Sequence, residues 1–212
     1  MNILRHRSDI PAPPPLLWLL PLLATLGAAS SAEGSAAGPI NGRAGEPPNL
    51  SSCIECHSGG LNPGDGDLRL LNIPATIVPG QTYDLTVELL HPGQSRWGFE
   101  LTVLDEAGNA GGQLVVTDTT RTQLSHDNAR NRDFLKHTLE GTDAGTFGPT
   151  QWGFQWTAPP TFSAITFYFA GDAADNSGTV QGDFIYTRSV TLQTTPVEFA
   201  TWGQIKRWFD RD

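Results

Sequence analysis

Trp152-Gly153-Phe154-Gln155-Trp156, closed by Thr157-Ala158-Pro159-Pro160, decides the fold. A period of two places Trp152, Phe154 and Trp156 on one face of an extended chain, and the paired prolines end the run. The same alternation recurs outward in both directions. After the turn pair Pro79-Gly80, the stretch Tyr83 to Leu89 puts Leu85, Val87 and Leu89 on one face. Trp97 to Val103 turns Phe99, Leu101 and Val103 inward and stops at Asp105-Glu106-Ala107-Gly108-Asn109, a cluster of turn residues. Gln113 to Val116, Ile165 to Phe169 and Phe184 to Leu192 extend the set, and a further strand ends at His137. About seven short strands, divided by Gly, Pro and Asp turns and without a long helical period, predict an all-β protein, an immunoglobulin-like antiparallel β-sandwich. Residues 117–138 fit least well, being long and polar, and His126 reads as part of a loop there.

The ends of the chain have a different character. Arg5-His6-Arg7 precedes an apolar run through Leu16-Leu17-Trp18-Leu19-Leu20-Pro21-Leu22-Leu23, and small residues follow to Ser30-Ser31-Ala32. That is the order of an export signal peptide, and the run is too short and proline-broken for a comfortable membrane span. No cysteine follows it for lipid attachment, so the expected product is periplasmic or extracellular, with no transmembrane anchor. A net charge of −9 over 212 residues argues against nucleic acid as a partner and would steer a cationic one. The expected organisation is a signal peptide at 1–32, a linker or extended arm at 33–48, a cysteine segment at 49–66, the sandwich at 67–194 and a tail at 195–212. In that tail Trp202, Ile205 and Trp208 or Phe209 fall at helical spacing, which suits docking on a partner or folding back on the sandwich.

Both cysteines of the chain lie in Cys53-Ile54-Glu55-Cys56-His57. Cys-x-x-Cys-His is the pattern of covalent haem attachment. Two thiols one chain turn apart reach two vinyl groups, and the adjacent imidazole serves as proximal ligand. The competing readings each lack a part. A thioredoxin-like dithiol belongs in a βαβ context. Structural zinc normally takes four protein ligands, and only two cysteines are present. A disulfide between Cys53 and Cys56 would close a very small loop and stabilise little. The expected cofactor is therefore one covalent haem c, with Cys53 and Cys56 as attachment residues and His57 as proximal iron ligand.

Met1 is the only methionine and leaves with the signal peptide, so histidine–methionine ligation is not open to the mature chain. The candidates for a sixth ligand are His137 first, then His126 and His91, or an open position. Two imidazoles would suit low-potential electron transfer to a redox protein partner, whereas an open position would suit a gas- or peroxide-reactive protein. Gly171 to Gly178 with Asp183 offers oxygen atoms to calcium without EF-hand spacing, and a solvated turn explains it as well. No G-x-S-x-G, Walker loop or paired His-Glu helix is present, so an electron carrier is expected rather than a catalyst.

Several blocks together resemble the reeler (reelin-like) domain. They are Arg96-Trp97-Gly98-Phe99-Glu100-Leu101-Thr102-Val103-Leu104, Phe134-Leu135-Lys136-His137-Thr138, Trp152 to Pro159, Ile165 to Ala174 and Gly182 to Thr187. The likeness extends to bacterial reeler-like, choice-of-anchor V domain proteins, in which Asn-Gly-Arg-x-Gly precedes Cys-x-x-Cys-His; here that segment is Asn41-Gly42-Arg43-Ala44-Gly45. The resemblance covers roughly residues 40–192. It implies a secreted β-sandwich and supports His137 as a recurring position, but implies no reaction. The chain departs from anchored relatives by ending in Thr201 to Asp212 without an apolar anchor. A secreted reeler-like binding or adhesion module, with Cys53–Cys56 as a disulfide, is the alternative it leaves open.

Overall fold

A computed structural model describes residues 35–193. The expected signal peptide and the amphipathic tail at Trp202–Phe209 lie outside the described residues. Among those described, no helix is long and apolar enough to cross a membrane.

Among the described residues, nine strands form two sheets, every strand pairing antiparallel: β1 (Asp67–Leu71), β2 (Thr82–Leu90), β3 (Arg96–Asp105), β4 (Gln113–Val116), β5 (Thr122–Asp127), β6 (Arg132–His137), β7 (Thr150–Thr157), β8 (Ala164–Ala174) and β9 (Phe184–Gln193). One sheet has the order β1-β2-β7-β4 and the other β5-β6-β3-β8-β9. The aromatic face of β7 turns inward: Trp152, Phe154 and Trp156 are buried with Leu85, Val87 and Leu89 of β2. Facing them are Phe99, Leu101 and Val103 of β3 and Phe167 and Phe169 of β8. Phe99 stacks on Trp152 with ring centroids 4.5 Å apart, and Trp156 meets Phe167 edge-on at 5.0 Å. Each core indole finds a backbone acceptor: Trp97 donates to the Thr146 carbonyl at 3.0 Å, Trp152 to Gly141 at 2.8 Å and Trp156 to Gly111 at 3.0 Å. These bonds let three large rings enter a dry core without leaving an N–H unpaired.

Two strands go beyond the sequence reading. Residues 117–138, expected to hold a strand ending at His137 and a polar loop around His126, contain the hairpin β5–β6, so β5 replaces the loop. The sequence signal is weak because β5 is an edge strand with little to bury; its one leucine, Leu124, is exposed. β1 lies at the opposite edge of the other sheet, paired to β2 from Asp67↔Leu90 to Leu71↔Thr86.

The segment before β1 lies across the outer face of the five-stranded sheet as an extended arm. Lys136 donates to the Pro39 carbonyl (2.7 Å) and to Asn41 Oδ1 (2.9 Å), and Ser125 bonds Asn41 as well. Ala44 pairs with Ser52, Ser58 with Gln181 and Leu61 with Ile185 as isolated bridges. On β3 the outward residues Glu100, bonded to the Arg43 amide of the arm, and Thr102, which donates to the Asp133 carbonyl, are as enclosed as the inward ones.

Candidate haem attachment site

Cys53–Glu55 form a single turn of 3₁₀ helix. The Cys56 and His57 amides both donate to the Cys53 carbonyl, at 3.1 and 3.0 Å, so one turn brings the two cysteines and the histidine together. The thiols are not joined to one another, and both cysteines are half-buried. Ile54 and Glu55 face solvent.

The sheet beneath is shaped for the turn. On the outer face, Gly98 of β3 is the register partner of Asp172 of β8, and Glu100 is the partner of Ala170. Small residues thus alternate with carboxylates. Glu100 is fully buried; one oxygen, Oε2, accepts the Arg43 backbone N–H, and Oε1 has no partner. Arg43 also pairs its guanidinium with Glu55 at 2.8 Å, tying the Asn41–Gly45 segment to the cysteine turn.

His57 is held from one side. Its Nδ1 lies 2.6 Å from Asp183 Oδ2 and 3.1 Å from Asp172 Oδ2. The next residues fix this approach: Ser58 donates its N–H to the Val180 carbonyl at 2.7 Å and accepts from the Gly182 and Asp183 amides at 2.8 and 3.3 Å. Gly59 then passes so near the Asp183 backbone that a Cβ would lie 2.1 Å from its carbonyl oxygen, which is why glycine stands there. Gly59 carries no sequence signal of this role, and Asp172 and Asp183 stand in the sequence only among the oxygen groups of the calcium-like stretch, in which Asp175 Oδ1 accepts the Ser177 amide at 2.8 Å.

The electrostatics follow from burial under the arm. Burial raises the Asp172 carboxyl to about 7, Asp183 adding to the rise and His57 opposing it. Burial raises Glu100 to about 8 against the Arg43 N–H and the Lys136 charge. For His57, burial works against the charged ring, but the hydrogen bond to Asp183 and the charges of both aspartates outweigh it and raise the group. Cys53 is pushed well above the ordinary thiol value by burial, then by Asp172 and Glu100. A redox dithiol needs its attacking thiol shifted the other way, so this environment opposes that chemistry.

The sixth-ligand candidates are spread apart. His137 is buried at the end of β6 with its ring against Gly98, where a Cβ would come within 2.8 Å of Cε1. Its Nδ1 lies 2.9 Å from the Phe99 amide and 3.2 Å from the Phe99 carbonyl, and burial lowers its pKa to about 4. His126 is on strand β5, not in a loop, and pairs across the hairpin with Asp133 at 2.8 Å. His91 bonds the Tyr186 hydroxyl at 2.5 Å and stacks on Phe184.

His57, Asp172 and Asp183 present ligand atoms within 4.8 Å of one another, enough for a small cation if the 2.6 Å hydrogen bond were given up. The turn also has the residue types that haem c attachment needs. Occupation of Nδ1 leaves Nε2 as the ligand nitrogen, with two unjoined thiols on the same turn, the arrangement in which an outer carboxylate orients a metal-bound imidazole.

Fold and site define the class: an all-β sandwich domain with a Cys-x-x-Cys-His turn docked on the outer face of its larger sheet. No family model and no curated protein matches the chain. Among solved structures, it is similar to the Reelin-N domain of F-spondin, at 19% identity and a TM-score of 0.44 over 65% of this chain and 92% of that one. It is also similar to the human F-spondin reeler domain, at 18% identity and TM-score 0.42 over 64% and 95%. A third likeness is to the major pilin SpaD from Corynebacterium diphtheriae, at 13% identity and TM-score 0.42 over 60% and 35%.

Proposed function

We propose that this protein is an exported mono-haem c-type electron carrier, its haem held by Cys53 and Cys56 with His57 as proximal iron ligand. The observation that carries the reading is the single turn that joins two free thiols to an imidazole whose Nδ1 is already bonded to Asp183. When bound, the haem supplies one-electron redox chemistry. The chain's part is to anchor it through two side chains and to aim Nε2. Exposed Ile54 and Glu55 keep the turn accessible to a redox partner. The raised thiol of Cys53 speaks against a dithiol redox enzyme. His137 is open as a sixth ligand through Nε2 in the tautomer whose Nδ1 donates to the Phe99 carbonyl, 3.2 Å away, in place of accepting the Phe99 amide.

The reading is tested by making the chain in a periplasm with haem-maturation machinery and recording a pyridine haemochrome spectrum after acid–acetone extraction. One haem per chain is expected, and none retained overturns the carrier.

A second reading, a secreted reeler-like binding module, draws on one observation. The apolar cluster of the sandwich runs from Leu68 to Tyr186 and takes no residue from the arm or the cysteine turn. The sandwich can be complete without a cofactor, and a colourless protein from the same expression is what this reading expects.

A further inference from the structure

We propose that Asp183, backed by Asp172, is the positioning residue for His57: it fixes the ring tautomer that leaves Nε2 bare and lends the ring negative character. The tautomer half stands on the haem-free geometry; the tuning half rests on the haem reading above.

Asp183 is suited to the task because it cannot move away. Its side chain is 1% exposed, Oδ2 faces His57 and Oδ1 lies 3.4 Å from the Asp175 amide. The backbones on both sides are locked by the Ser58 bonds and by the close pass of Gly59. Asp172 approaches the same nitrogen from the neighbouring strand at 3.1 Å, and its other oxygen is buried without a partner. Two carboxylates therefore converge on Nδ1, which can only donate to them. In the neutral ring the proton must therefore reside on Nδ1, and Nε2 keeps its lone pair. The cation nearest by charge effect on Asp172, after His57 itself, is Arg96, whose guanidinium is turned toward Asn176 at 3.5 Å.

A neutral imidazole that donates a strong hydrogen bond to a buried carboxylate is a more basic ligand than one bonded to a carbonyl. A more basic ligand stabilises the oxidised iron and lowers the reduction potential.

In the haem-free full chain labelled with ¹⁵N, long-range ¹H–¹⁵N spectra recorded above the raised His57 titration, where the ring is neutral, are expected to report Nδ1 protonated and Nε2 bare. A neutral ring protonated at Nε2, or mixed as in free histidine, overturns the assignment. In haem-loaded protein, Asp183→Asn is expected to move the equilibrium at least tenfold toward the reduced form, about 59 mV for one electron. Asp172→Asn, which keeps Asp183, gives a smaller shift of the same sign and serves where Asp183→Asn fails to fold. Unchanged potentials in the variants that fold overturn the tuning role. Loss of haem from the wild-type chain overturns the carrier reading instead, and leaves the tautomer result standing.

Discussion

His57 Nδ1 and Asp183 Oδ2 are 126 residues apart in sequence and 2.6 Å apart in space. The contact joins the cysteine turn, which precedes the sandwich, to the start of β9, and it turns a short motif into a site with a fixed orientation.

If the turn only rests on the sheet, its cysteines are dispensable for folding. The double variant Cys53→Ser, Cys56→Ser is expected to lose all covalent haem yet melt within a few degrees of the haem-free wild type by circular dichroism, since the core cluster contains neither residue. A collapse of the melting transition would show that the turn is part of the folding unit.

The Gly59 contact is backbone against backbone and has no flexible side chain to yield. Gly59→Ala is expected to displace the Ser58 bridge, cost roughly 1–3 kcal/mol in urea unfolding and restore rotation to His57. Gly64→Ala, where a Cβ meets nothing within 4 Å, is the control that should change little.

Stability should depend on pH through Glu100. Its carboxyl is raised to about 8 when folded and has an ordinary value when unfolded, so the folded state binds the extra proton between those limits. Stability from this group is present at low pH and lost as pH rises toward 8, at up to about 1.4 kcal/mol per pH unit. Raised Asp172, at about 7, and raised His57 act in the same direction, while lowered His137, at about 4, gives a gain with rising pH that is complete near its unfolded value. The window from about pH 6.5 to 8 therefore isolates the loss. Urea unfolding across it should show a decline that Glu100→Gln makes shallower, since Gln can still accept the Arg43 amide; an unaltered slope would count against a buried, proton-binding Glu100.

Phe99 and Trp152 stack at the centre of the sandwich, both essentially inaccessible to solvent. Phe99→Ala should cost about 3–5 kcal/mol in equilibrium denaturation through lost burial and the cavity left behind. A cost below 1 kcal/mol would mean that the two sheets can close over the gap.

The chain states its own architecture wherever one face of a strand is buried, because a period of two then writes the fold into it. Trp152, Phe154 and Trp156, like Phe99, Leu101 and Val103, declare their strands and their inward face. It also determined the Cys53-to-His57 motif, whose chemistry depends on spacing within one turn. β5 stayed illegible because an edge strand buries too little to leave a pattern. Only the tertiary structure decided what surrounds His57. Asp172 and Asp183 belong to β8 and the approach to β9, and they read as loop and turn residues until register places them under the turn. It also decided that Glu100 and Thr102, polar residues at outward positions, are buried, Glu100 against the arm at Arg43 and Thr102 against Asp133, since alternation states which way a side chain points and not what later covers it.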